Sequence, residues 1–192
     1  MSLAFHTYLR SHMSLGEQDL ERISMLAIPK TLQRNEMLLQ QGQICRYKTF
    51  VVKGLMRIFG TLENGTERIL QFSPENTWTL DPESYDHQTP ASFSIAAIEQ
   101  SELLLWTKPD FEILLNEIPA LKSFSLKLLS HSSYSSRHRL FSSLSGSPEE
   151  KYNDFLQHYP DILNRIPLHM IAAYLGISLK TLTRIRHAQL HR

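Results

Sequence analysis

At 192 residues the chain has room for one large or two small domains, and with 42% apolar residues it can bury real cores. A charged fraction of 20% is that of a globular protein in water; no basic leader and no apolar run of about 18 residues occurs, which points to a cytoplasmic protein without a membrane partner. Cys45 is the sole cysteine, which excludes an intrachain disulfide framework and a Cys-ligated iron–sulfur cluster. The net charge of +1 hides an asymmetry. Residues 1–119 carry ten Lys/Arg against fifteen Asp/Glu, whereas residues 120–192 carry ten against four, with six of the nine histidines. A basic C-terminal third on an acidic body is an electrostatic footprint for a polyanion, although chance clustering on a solvated face gives the same count.

Leu3, Phe5, Tyr8 and Leu9 outline a short helix over residues 3–12. Ser14 and Glu17 have capping-box spacing, so Ser14 is the expected N-cap of a second helix that runs to about Leu26 with Leu20 and Ile23 inward. From about Lys30 to Thr107 the pattern changes to short strand-like runs. These are Glu36 to Leu39, Lys48 to Val52, Leu55 to Gly60, Arg68 to Phe72, Ser94 to Ile98 and Glu102 to Trp106. Asn64-Gly65 between two of them is a strong hairpin signal. Several short strands at roughly ten-residue spacing predict an antiparallel barrel or jelly roll.

Thr107-Lys108-Pro109-Asp110 opens a helix through Phe111, Leu114 and Leu115 that halts before Pro119. A longer helix follows from Ala120 to about Leu144. Its Leu121, Phe124, Leu128, Ser132 and Ser135 share a face, which fits either a dimer seam or packing against the barrel. Ser143 to Pro148 is rich in Ser with Gly and Pro and reads as a linker, with the domain boundary near residue 146. Pro148-Glu149-Glu150 begins another helix, which carries Tyr152, Phe155 and Leu156 and ends at Pro160.

The last segment, Ile166 to Arg186, reads as two short helices about a tight turn. Pro167 suits a first turn, and Met170, Ile171, Tyr174 and Leu175 mark a buried face. Gly176 is placed to end the helix left-handed, and Ser178 to cap the next. In that helix Leu179, Leu182 and Ile185 share one face, opposite Lys180, Arg184, His187 and His191. An apolar inner face and a basic outer face after a Gly turn is the sequence form of a helix-turn-helix, and an ordinary α-hairpin shares the spacing.

A strand-rich N-terminal part, a connecting helix and a C-terminal helix-turn-helix, in that order, resemble the Crp/Fnr family of bacterial transcription regulators over nearly the whole chain. The most specific part is Ile171-Ala172-Ala173-Tyr174-Leu175-Gly176-Ile177-Ser178, followed by Leu179-Lys180-Thr181-Leu182-Thr183-Arg184-Ile185. Leu39-Gln40-Gln41-Gly42, Phe50 to Gly54 and Gly65-Thr66-Glu67 match the family's barrel more loosely. The fold implied is α+β. A cyclic-nucleotide-binding-like barrel with N-terminal helices would span residues 1–118. A connecting and dimerisation helix would span 119–145, and an all-α helix-turn-helix domain without an evident wing would span 146–192.

The resemblance implies a homodimer that places a recognition helix, about residues 178–191, in the major groove of double-stranded DNA. The DNA-binding residues would be Ser178, Lys180, Thr181, Arg184, Arg186 and His187. Arg184 suits guanine O6 and N7. Arg186, nearer the buried edge, suits a phosphate or an internal partner. RNA polymerase and an unidentified small-molecule effector are the further partners implied. Relatives that bind cyclic AMP carry a Gly-Glu pair followed by an Arg-Ser/Thr-Ala step. Here Trp78-Thr79-Leu80-Asp81 stands near the first and Pro90-Ala91-Ser92-Phe93 replaces the second, with Ala91 about where the Arg belongs. A buried phosphate would then lack its main partner, so cyclic AMP and cyclic GMP are not the expected effector.

Two other classes were open to the sequence. A ligand- or protein-interaction module would use the C-terminal helices for a protein partner, which normally calls for a broad apolar stripe instead of a basic face. Asp81, Glu83, Asp86 and His87 could together hold a metal ion, but in a Pro- and Ser-containing loop they read better as solvated acids. No nucleophile–histidine motif, P-loop or Gly-rich phosphate turn is present, so no enzyme, cofactor or metal centre is expected.

Overall fold

The computed structural model describes residues 3–190. In chain order the elements are α1 (Leu3–His12), α2 (Glu17–Met25), β1 (Ile28–Leu32), β2 (Met37–Leu39), β3 (Tyr47–Lys53), β4 (Met56–Thr61), β5 (Glu67–Ser73), β6 (Thr77–Thr79), α3 (Pro82–His87), β7 (Ser94–Ala97), β8 (Ser101–Thr107), α4 (Lys108–Glu117), α5 (Pro119–Ser145), α6 (Pro148–His158), α7 (Leu168–Leu175) and α8 (Leu179–Leu190). The strands form two four-stranded sheets, β1-β8-β3-β6 and β2-β7-β4-β5, and the pairings resolved between them are antiparallel. The α+β expectation holds.

The chain falls into two compact units. One comprises the residues up to Gly60 together with Gln71–Leu129, and the other comprises Thr61–Leu70 together with the residues from Ser130 on.

In the first unit β8 and the middle of β3 are buried on both faces of the sheet β1-β8-β3-β6, which explains the unbroken run Leu103-Leu104-Leu105-Trp106 in place of polar–apolar alternation. Trp78 pairs with Phe50, Phe50 with Leu104, and Leu104 with Pro29, so one row of side chains crosses the whole sheet. On this face Phe50 meets Phe5 at 4.8 Å and Trp78 at 5.1 Å between ring centroids, in tilted and edge-on arrangements. Phe5, Leu9, Leu20, Ile23, Phe111, Leu114, Ile118 and Leu121 complete the cluster, which ties α1, α2, α4 and the start of α5 to the sheet. The Trp106 indole N–H, wholly buried, donates to the Ile23 carbonyl at 2.9 Å. Thr49, Val51, Leu103 and Leu105, the alternate residues of β3 and β8, are buried on the other face.

Three expectations change, and for the first turns of α5 one of two open readings is selected. The N-cap of α2 is Gly16, whose N–H donates to the Asp19 carboxylate at 3.1 Å; Ser14 lies outside the helix. Residues 82–87 are helical, so the acidic stretch from Asp81 to His87 is α3 and its cap. The linker shrinks to Gly146 and Ser147, because α5 continues to Ser145. Ser147 is the N-cap of α6, accepting from the Glu150 N–H at 3.3 Å, while its own N–H donates to the Glu150 carboxylate at 2.7 Å and holds that carboxyl below its usual range. Of the α5 face Leu121–Phe124–Leu128–Ser132–Ser135, the upper residues pack within the first unit. Leu121 belongs to its core, and Phe124 is buried with its ring 5.3 Å from that of His12 and 6.1 Å from that of Tyr8.

Trp106→Phe keeps the aromatic bulk but leaves the buried Ile23 carbonyl without a donor. Urea unfolding followed by the remaining tryptophan, Trp78, should show a loss of about 1–3 kcal/mol. An unchanged midpoint would contradict the structural role given to that hydrogen bond.

Candidate nucleic-acid interface

The second unit has its own small core of Tyr152, Phe155, Ile162, Ile166, Ile171, Ala172, Leu175, Leu182 and Ile185, all buried. It is built from α6, α7 and α8, which pack on one another pairwise. Pro167 is the N-cap of α7. Only Ile171, Ala172 and Leu175 of α7 are fully buried; Met170 and Tyr174, expected alongside them, are half-buried. Gly176 ends α7 at φ 68° and ψ 26°, a left-handed conformation that costs an L side chain about 1–2 kcal/mol. Its N–H and that of Ile177, the latter at 3.1 Å, both donate to the Ala172 carbonyl, which closes the helix end.

Ser178 then starts α8. Its hydroxyl accepts from the Thr181 N–H at 3.0 Å and lies 2.8 Å from the Thr181 hydroxyl. The Leu182 N–H donates to the Ser178 carbonyl at 3.0 Å. Within the free protein both hydroxyls are therefore engaged in the cap. Leu182 and Ile185 point inward at 0% and 2% exposure, but Leu179 does not; it is 47% exposed. The expected apolar face is narrower than drawn, because the first residue of a helix lies beyond the edge of the packing surface that Leu182 and Ile185 occupy.

Lys180, Arg184 and His187 are exposed on α8 and Arg186 is half-buried, as its position near the inner edge implied. His191 lies outside the described residues. The Arg184 guanidinium stands 3.5 Å from the Glu149 carboxylate at the start of α6, with both side chains largely in water. Such a pair contributes at most a few tenths of a kcal/mol to about 1 kcal/mol, so it does not prevent Arg184 from changing partners. Farther along, the Gln189 amide donates to Asn153 at 2.8 Å. From residue 162 onward the sequence holds no Asp or Glu, so Glu149 is an acid that reaches this face from another helix. The charged side chains that α8 itself presents, Lys180, Arg184 and Arg186, are all cationic.

One residue that sequence reasoning passed over fastens this unit. Arg139 on α5 donates from Nη2 to the Ile69 carbonyl at 2.9 Å and to the Tyr174 carbonyl at 3.3 Å. Its guanidinium also lies 4.0 Å from the Tyr174 ring centroid. The Tyr174 ring is backed by Phe155 at 5.5 Å and Tyr159 at 5.8 Å, and burial raises its hydroxyl pKa. A cation on a carbonyl in the last turn of α7 is favourable for the helix dipole. No periodicity marks Arg139; it would have taken the fold to find it.

In the barrel, Asp81 and Ala91, which the sequence sets near the nucleotide cassette, make local backbone contacts. Asp81, 3% exposed, caps α3 by accepting from the Ser84 N–H at 3.0 Å. Ala91 is buried, its N–H donating to the Gln43 carbonyl and its carbonyl accepting from Gly42. The adjoining pocket, lined in part by Leu39, Cys45, Thr49, Thr79 and Ile95, measures about 160 Å³. Ordinary ligand pockets run to roughly 300–1,000 Å³. Burial raises the Cys45 thiol pKa, and the thiol donates to the Tyr47 carbonyl at 3.6 Å.

Residues 29–117 match the cyclic nucleotide-binding domain family. Among solved structures, FixK2 from Bradyrhizobium japonicum is similar at 17% identity over 86% of this chain and 84% of that one, with a TM-score of 0.74. A transcriptional regulator of the Crp/Fnr family from Eubacterium rectale is similar at 16% identity over 96% and 88%, with a TM-score of 0.71. The chain has the Crp/Fnr fold. The catabolite activator protein of Thermus thermophilus shares it at 23% identity over 93% and 85%, with a TM-score of 0.59. No curated protein matches this sequence. The Crp/Fnr resemblance read from Ile171 to Ile185 and from the barrel motifs is supported by these matches.

Ser178→Ala should cost about 1 kcal/mol by removing the cap of α8. Glu149→Ala should leave stability within about 0.5 kcal/mol. Thermal unfolding followed by circular dichroism distinguishes the two, and the reverse ranking would contradict the description of this helix start.

Proposed function

We propose that this protein is a homodimeric transcription regulator that binds DNA sequence-specifically by placing α8 in the major groove. The observation that carries the reading is the outer face of α8. Lys180, Arg184 and His187 are exposed there above a helix whose inner side, Leu182 and Ile185, is buried against its own unit. Arg184 would contact guanine, Lys180 a phosphate or base, and Arg186 and His187 the backbone. Ser178 and Thr181 would contribute through the cap, which orders the end of the helix that enters the groove. The units read from the sequence, a sensor over residues 1–118, a connecting helix over 119–145 and a DNA-binding domain over 146–192, belong to the same proposal. So do RNA polymerase as a partner and a cytoplasmic location. No helix among the described residues is long and apolar enough to cross a membrane.

The dimer finds support on α5, on a face opposite the one the sequence suggested. Leu126 and Leu129 are 58% and 57% exposed in the first unit, and Leu140 and Leu144 are 60% and 79% exposed in the second. Phe141 flanks them at 70%. Exposed apolar patches of this kind mark an association surface, and the same patches on a second α5 fit them. The barrel's effector would not be cyclic AMP or cyclic GMP, because the buried Ala91 supplies no charge for the phosphate.

Binding of a selected duplex, followed by fluorescence anisotropy, should weaken by several log units per log unit of salt as phosphate counterions are released. Arg184→Ala should bind the selected and a random duplex equally. Cyclic AMP should give no heat on titration into the wild-type protein. Retained sequence preference in Arg184→Ala would overturn the assignment of that residue, and salt-independent binding would overturn the groove model.

A further inference from the structure

The first turn of α8 presents an unusual pair to the outside, the apolar Leu179 and the cationic Lys180. Leu179 is 47% exposed, whereas Leu182 and Ile185 of the same helix are buried. The neighbouring polar groups are engaged within the protein. The Ser178 and Thr181 hydroxyls close the cap, and the Thr183 hydroxyl donates to the Leu179 carbonyl at 2.9 Å. Arg184, one turn on, leans on Glu149. The leucine side chain thus stands clear at the end of the helix that carries base contacts in helix-turn-helix proteins.

An apolar side chain entering the major groove can make favourable contact with one feature of the base edges only. Adenine, guanine and cytosine present donors and acceptors there, which a leucine would desolvate without return; thymine alone presents a methyl group. We propose that Leu179 determines specificity by packing on a thymine 5-methyl group, so that each half-site carries a thymine at the base pair under the start of α8. Lys180 beside it carries no apolar selectivity and acts on the backbone or on an acceptor edge. This proposal rests on the DNA-binding reading above and names one base that the reading leaves open.

The test begins with selection of duplexes from a random pool by the full-length wild-type chain. Each thymine of the optimal half-site is then replaced, one at a time, by deoxyuridine, which removes only the methyl group. At one position the wild type should lose about fourfold in affinity, the equivalent of one buried methyl. Leu179→Ala should bind the thymine and uracil duplexes equally, while Lys180→Ala should weaken both alike and lower the salt slope by about one. Because Leu179 lies outside the core, Leu179→Ala should melt as the wild type does, which separates a lost contact from a lost fold. Wild-type binding indifferent to uracil at every thymine would overturn the proposal. So would a Leu179→Ala protein that still discriminates the two duplexes, or one that changes only oligomeric state. A pool from which no sequence emerges would instead fail the DNA-binding reading, and this proposal with it.

Discussion

The burial of Leu182 and Ile185 beneath α6 and α7 is the constraint on which the candidate interface depends. Those two side chains fix the rotation of α8 about its axis. With the inner side occupied, Lys180, Arg184 and His187 have nowhere to go but outward. The same burial leaves the ends of the helix to local devices, the left-handed Gly176 behind it and the Ser178–Thr181 cap at its start. Leu179 sits between these two influences. It is too near the end to be covered by the core and too close to the turn to be carried away from the surface.

Arg139 extends this arrangement beyond the three C-terminal helices. One guanidinium binds the Ile69 carbonyl, the Tyr174 carbonyl and the Tyr174 ring face. Ile69 lies in β5, within the segment Thr61–Leu70 that belongs to the same compact unit as α7 and α8. Planar geometry and several donors in a fixed fork suit arginine to this three-way contact, and a lysine could not reproduce it.

Much of the architecture was legible in the sequence, and the failures have identifiable causes. Strand β1 was missed because Pro29 sits inside it, yet β1 is the edge of its sheet, where a residue without an N–H is tolerated. Strand β6 escaped because Thr77–Thr79 is too short for alternation to register. The cap and start of α3 were in plain view as Asp81-Pro82, but a helix of six residues offers no periodicity. The stretch from Ser143 to Pro148 reads as a linker by composition. In the fold the Ser145 hydroxyl donates to the Phe141 carbonyl, Ser142 just before the stretch donates to Asp154, and the helix runs on to Ser145. The basic face of α8 was readable residue by residue from its period. Leu179 and Arg139 were not, because exposure at a helix end and a bridge between distant segments leave no mark on hydrophobic periodicity.

The barrel and the helix-turn-helix differ in how far their chemistry speaks. Ala91 places no charge in the barrel, whereas α8 presents Lys180, Arg184 and His187 to the outside. The central claim, that two copies of α8 enter successive major grooves, is tested most directly by methylation interference on a selected duplex. Methylation of guanine N7, which projects into the major groove, should block binding at two clusters centred about 10 base pairs apart. Interference confined to the minor-groove edge of adenines, or a single cluster without its symmetric mate, would contradict it.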